Sequence, residues 1–177
     1  MTRSRHLATL FLATIVAAHG PTTNADKPRS TDREETLFVV ERSTNANIVH
    51  YAARITKDGT LDPKTPIVGY WEMNAEDGRR EPLSRLERSM AWGFSSQRDP
   101  SGQFYRMLLV SQKQREIRVY QVDGSVRAEM QIAGHRAYLH KIYAQIRKTK
   151  LLWAVDYYQL FGNDILTNEE CSEKVLP

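Results

Sequence analysis

The sequence predicts a mainly β domain: an antiparallel meander of about nine strands, barrel-like or rolled into two layers, with one short helix. Three observations carry this expectation. Short runs rich in β-branched and aromatic residues recur from residue 37 onward, separated by turn residues. Asp58-Gly59, Asp77-Gly78 and Asp123-Gly124 supply the positive backbone angles of tight hairpin turns. The spacing between runs is too short for helix-containing crossovers, so neighbouring runs should pair antiparallel.

In chain order, strands are expected over residues 37–42, 47–55, 67–73, 91–96, 104–111, 115–122, 126–133 and 153–161. The hairpin closed by Asp123-Gly124 fixes its own register. A two-residue loop sets Ile117 opposite Met130, Val119 opposite Ala128 and Gln121 opposite Val126 on one face, with Arg118 opposite Glu129 and Tyr120 opposite Arg127 on the other. A slip of one residue destroys both matches. The helix is expected to open at Pro82, with Leu83, Leu86 and Met90 on one face, Glu81 four residues before Arg85, and Gly93 after its end. It should run two to three turns. Residues 138–150 fit two periods: Tyr138, Leu139, Ile142, Tyr143 and Ile146 make a helical stripe, whereas Tyr138, His140, Ile142, Ala144 and Ile146 alternate as a strand would. Position between strands favours the strand.

The N-terminal 25 residues read as a signal peptide. Arg3 and Arg5 precede an uncharged run from Leu7 to Ala18, long enough for a signal-peptide core and too short for the ~20 residues of a membrane-spanning helix. Cleavage is expected after Ala25 or nearer Ala18, residues 26–36 form a polar linker, and residues 37–177 make one β-rich domain with no transmembrane helix. The expected location is periplasmic or extracellular. The leader holds two arginines and no acid, so its removal lowers the formal net charge from +4 to +2. So small a surplus excludes a nucleic-acid-binding tail. Cys171 is the only cysteine, which rules out an intramolecular disulfide and leaves stability to the core.

The residues from Leu37 to Asn47, then His50-Tyr51, Asp58-Gly59, Leu61, Pro66, Tyr70-Trp71, Glu76-Asp77-Gly78, Glu81, Leu86-Glu87 and Ala91-Trp92-Gly93, resemble an exported bacterial family catalogued as domain of unknown function 4833. The likeness extends through Tyr157 and Gly162 to Val175-Leu176-Pro177. It implies export and a single domain, and brings no activity or catalytic residue.

The densest polar cluster runs from Glu41 to Asn47, where Arg42 offers an anion fork and Asn45 and Asn47 offer donors; the same residue types also serve a hairpin loop that bonds its own backbone. On the next strand His50 and Arg54 share the face opposite Val49, Tyr51, Ala53 and Ile55. Trp71 and Glu72 follow Tyr70 on a strand apolar on both faces, a setting in which a carboxyl group can serve as a general acid. These eight residues, Glu41, Arg42, Asn45, Asn47, His50, Arg54, Trp71 and Glu72, are the candidate ligand-binding set. No nucleophile elbow, phosphate loop or metal-ligand spacing is present, and His135 and His140, five apart, fit one face of neither a helix nor a strand. No cofactor or metal is implied. Between Met130 and Val155 lie Arg136, Lys141, Arg147, Lys148 and Lys150 without any acid. They form either a basic edge for an anionic envelope component or an edge strand guarded against aggregation. Two functions fit: a non-catalytic extracytoplasmic binding or envelope-interaction domain, or an enzyme on an envelope or extracellular substrate with Glu72 or Glu41 as acid/base and His50 or Arg54 assisting.

Overall fold

The structure, a computed structural model, describes residues 33–148 and 153–177. The expected signal peptide and Lys150 lie outside them. Eleven strands occur among the described residues: β1 (Arg33–Arg42), β2 (Asn45–Ile55), β3 (Ile67–Glu72), β4 (Arg80–Pro82), β5 (Phe94–Arg98), β6 (Tyr105–Leu109), β7 (Ile117–Val122), β8 (Ser125–Ile132), β9 (His135–Lys148), β10 (Trp153–Asp164) and β11 (Glu170–Val175). One α-helix, α1 (Arg85–Met90), separates β4 from β5.

The strands join in the order β4-β3-β2-β1-β9-β8-β7-β6-β5, with β10 added to β9 and β11 to β10. The sheet is mixed, which corrects the expected antiparallel meander: β1 runs parallel to β9, Val40 facing Ile142. Two halves that are each antiparallel meet at this pair. β9 makes the junction possible by its length, because β8 takes residues 135–138 of one edge, β1 takes residues 141–144 of the same edge, and β10 lines the other. β9 is therefore interior to the sheet and not the edge strand expected from its lysines.

The sheet curls into a half-barrel. Tyr51 on β2 donates its hydroxyl to the Trp92 carbonyl at 2.7 Å and packs edge-on against Phe94 of β5 at 5.7 Å. Strands six places apart in the sheet order thus meet across the concave interior, which the buried side chains Phe38, Val49, Met107, Val119, Ile132, Leu139 and Leu160 fill.

The β7–β8 hairpin has the expected register, Arg118 facing Glu129 and Val119 facing Ala128, around Asp123 and Gly124 at φ 49° and 77°. The 138–150 ambiguity resolves to strand, and its cause is a bulge. Leu139 faces Gly162 while Lys141 faces Phe161, so His140 is an extra residue. Ala137 and Leu139 point inward before it and Ile142 and Ala144 after it, a one-residue change of phase that gave two periods to choose from.

The strand count was low because β4 has three residues and β11 alternates without an apolar set. β1 begins at Arg33, so residues 33–36, read as linker, are strand; Glu34 there pairs with Arg54 at 3.3 Å and Glu35 accepts the Val126 N–H at 3.0 Å. The helix is shorter and later than expected. Ser84 caps it in a capping box with Glu87, while Pro82 ends β4 and Glu81 pairs with Arg79 rather than Arg85. Leu86 and Met90, expected on the buried face, are 66% and 68% exposed. What seats α1 is Glu87.

Candidate functional site

On the convex face of β6 to β9, alternation along each strand places charged residues in rows across the strands. One row runs Arg106, Arg118, Glu129, Tyr138. Arg106 and Arg118 stand directly opposite each other, an arrangement that repels unless something compensates. Glu116 compensates: its two carboxylate oxygens take Arg106 Nε at 2.8 Å and Arg118 Nε at 2.9 Å. Glu129 is buried, and Arg136 grips it with two bonds, Nε to Oε1 at 2.7 Å and Nη2 to Oε2 at 2.9 Å, while Tyr120 donates its hydroxyl to Oε2. Arg115 forks onto Glu173 of β11, whose carboxylate also accepts the Ala133 N–H at 2.8 Å.

These groups line a cleft of about 480 Å³, with Arg115, Arg118, Arg136, Glu129 and Glu173 around its wall and Gln114, Gln131 and Met130 beside them. Carboxylates and guanidiniums balance in number, but not in height. Arg118 and Arg136 are 50% and 56% exposed, whereas Glu116, Glu173 and Glu129 are 32%, 26% and 5% exposed. Arg118 and Arg136 thus form the rim above the acids, while Arg115, 27% exposed, lies at their level, so an approaching ligand meets the positive charge of Arg118 and Arg136 first. The acids also orient the cations. Arg136 spends Nε and Nη2 on Glu129 and Arg106 Nη2 lies 3.6 Å from Asp99, whereas Arg118, held by Nε and lying 5.1 Å over the Phe104 ring, has no hydrogen-bond partner for its Nη groups among the described residues.

Ionisation follows from the same contacts. The Arg136 hydrogen bonds hold the Glu129 carboxyl below the usual carboxylate range against the opposing effect of burial, and Tyr120 adds to them. Arg115 does the same for Glu173. The Tyr120 hydroxyl moves the other way, raised by burial and by donating to Glu129.

The eight candidate residues divide between the two faces of β1–β3. Arg42, Asn45, Asn47 and Trp71 gather on the inner face at the end of the half-barrel. The Arg42 guanidinium lies 4.3 Å over the Trp71 ring and donates from Nε to Asn45 Oδ1 at 3.0 Å. Trp71 Nε1 donates to Glu87 at 2.9 Å, and the other Glu87 oxygen accepts the Ser84 N–H at 2.8 Å. Burial opposes ionisation of Glu87, yet the bonds from Ser84 and Trp71 and the Arg42 charge keep its carboxyl below the ordinary value. Asn47 is buried, accepting the Ala75 N–H at 2.8 Å and donating to Met73 Sδ at 3.5 Å. This group fastens α1 and the residues after β3 to the sheet.

Glu41, His50, Arg54 and Glu72 lie on the outer face. His50 Nε2 is 2.5 Å from Glu72 Oε2, but off the hydrogen-bonding direction, so both buried ring nitrogens lack a hydrogen bond. Tyr70 stacks on His50 at 5.3 Å, Arg80 covers Tyr70 at 3.5 Å, and Arg80 and Arg54 share Glu34. Glu41 is 3.7 Å from Lys141. The basic residues of β9 are likewise apart: Arg136 is in the cleft, Lys141 sits 4.7 Å over Phe161, Arg147 pairs with Asp156, and Lys148 ends the strand. Arg136 and Arg147 are eleven residues apart in sequence, about 36 Å at strand rise. Among the described residues no three His, Cys, Asp or Glu side chains gather as a metal site, and no helix is long and apolar enough to cross a membrane.

The family model described as Domain of unknown function (DUF4833) matches residues 38–174, over three-quarters of the chain. The chain belongs to this family. No curated protein and no solved structure matches it. The family model spans every cleft residue of this DUF4833 domain, so the cleft belongs to the domain proper and not to an added segment. Sequence reasoning missed Arg106, Arg115 and Arg118 because their spacing on β6 and β7 reads as an ordinary solvated face. A signal was present: Arg118 opposite Glu129 came with the hairpin register, and only the fold adds Arg136 and Glu116 to that pair.

Proposed function

We propose that this DUF4833 domain is a non-catalytic binding module of an exported chain, and that it takes an anionic ligand in the arginine cleft. One observation carries the reading: Arg118 is held by Nε on the half-buried Glu116 and lies 5.1 Å over the Phe104 ring, which leaves its Nη groups without a hydrogen bond among the described residues. Preorganised cations lose less freedom on binding than flexible ones, and a planar oxyanion matches the guanidinium fork. Titration of the protein with citrate at low salt tests it. Arg118→Gln should weaken binding roughly tenfold, the loss of a charge-assisted hydrogen bond of about 1.5–3 kcal/mol. Added salt should weaken wild-type binding too, because the rim is exposed. Absence of citrate binding at low salt, or indifference to Arg118→Gln, removes the reading.

A second reading rests on the approach of His50 to Glu72, which favours acid/base catalysis on an envelope or extracellular substrate. It requires that His50→Gln abolish turnover while leaving ligand affinity unchanged. The stack of Tyr70 and Arg80 beside His50 weighs against it, since substrate would have to displace both.

A further inference from the structure

The cleft offers more than cations. Gln114 and Gln131 are exposed on its wall, and their side-chain amides have no hydrogen-bond partner among the described residues. Each amide brings two donors and one acceptor, the complement of hydroxyl groups. Met130 borders the same cleft but belongs to the buried core, so the groups a ligand meets there are polar. At about 480 Å³ the space is that of a small-molecule site rather than a seat for one inorganic ion.

The backbone narrows the ligand class. β7 is paired with β6 and β8, and β8 with β7 and β9, so neither strand offers a free edge for a peptide to extend; β11, which brings Glu173 to the wall, pairs only with β10. Over β7 and β8, recognition therefore comes from side chains. Among the described residues no aromatic ring lines the cleft, which removes the stacking platform that single-stranded nucleic acid uses. The wall is polar apart from Met130 and offers acyl chains no continuous apolar surface. An oxyanion fork and free amides together match a sugar ring that carries an acid group.

We propose that the cleft binds an acidic oligosaccharide, with a carboxylate or sulfate of the sugar on the free Nη edge of Arg118 near the positive charge of Arg136, and ring hydroxyls on the Gln114 and Gln131 amides. This rests on the anion-binding reading and specifies its ligand. Two arginines and two glutamines then divide the work. The former select for charge, and the latter distinguish a sugar acid from a simple anion of equal charge.

Calorimetric titration of the full chain with four probes tests it: a galacturonate trisaccharide, a sulfated galactose trisaccharide, neutral galactose trisaccharide and citrate. At least one acidic trisaccharide should bind ten times or more tighter than citrate, and the neutral one should not bind. Gln114→Ala with Gln131→Ala should cost the acidic trisaccharide roughly tenfold and leave citrate within twofold. Arg118→Gln should weaken both, and thermal melts of all variants should superimpose on wild type. If citrate binds as well as both acidic trisaccharides, or the glutamine pair changes nothing, the sugar assignment is wrong and the anion cleft stands. If no probe binds at low salt, or Arg118→Gln leaves every affinity unchanged, both are wrong.

Discussion

Glu129 is 4% exposed, with Arg136 on both of its oxygens and Tyr120 on one. Replacing it by Gln keeps the shape but removes the charge that two neighbours are arranged around, and breaking one side of a buried ion pair costs about 3–5 kcal/mol. Arg136 is more than half exposed and can turn to water, so the lower end of that range is expected in urea unfolding of Glu129→Gln. The pH dependence has a definite sign. A carboxyl held below its unfolded pKa of about 4.3 stabilises the fold at every pH above that value and loses the contribution as pH falls through the folded pKa. The stability difference between wild type and Glu129→Gln should therefore be constant above about pH 5 and shrink in acid; a difference growing below pH 4 would contradict the assignment. Arg42 shows the limit of reading residues singly. Its guanidinium looks like an anion fork in sequence, yet Trp71 covers one face of it and Asn45 takes its Nε, because α1 brings Glu87 from 45 residues away to fix Trp71.

Helix α1 has six residues, less than two turns, and would not persist by propensity. Its capping box supplies the missing stability: Glu87 accepts the Ser84 N–H at 2.8 Å, and the Ser84 hydroxyl accepts the Glu87 N–H at 3.3 Å. Ser84→Ala should cost about 0.5–2 kcal/mol in thermal or urea unfolding. Because Glu87 also holds the Trp71 indole, the loss should appear in tryptophan fluorescence before global unfolding. A variant whose fluorescence and unfolding curves remain coincident with wild type would show that the cap does not secure the helix. Elements of this kind were partly legible. The β7–β8 hairpin could be read to the residue, since its turn and its two alternating faces agree. Helix α1 could not, because Pro82 and the Glu81–Arg85 spacing imitate a start that Ser84 and Glu87 provide. Nor could β9, where one bulged residue, His140, shifts the inward phase in mid-strand.

At the scale of the whole chain, export is the first expectation to test: charged residues at Leu10 and Leu12 should leave unprocessed protein in the cytoplasm, visible by fractionation and mass, whereas continued secretion would refute the signal-peptide reading. The β-rich class was legible because it sums many local signals, each confined to a few residues. The mixed sheet was not, since pairing of Val40 with Ile142 joins segments about a hundred residues apart and leaves no mark on either. That pairing also sets an order of events in time. β1 lies between β2 and β9, so the first strand made cannot gain its second neighbour until β9 has left the ribosome or the translocation pore. Loop closure over such a separation is slow, and sheets dominated by distant pairings fold in milliseconds to seconds. A chain ending at residue 134 would carry β1 with one bare edge and β8 with another. It should show no cooperative unfolding by circular dichroism and should scatter light through edge-to-edge association, while the chain that includes β9 stays monodisperse. Export, if the test above bears it out, would give that delay a use. A sheet that waits for its ninth strand keeps the polypeptide unlocked and threadable until nearly all of it has been made.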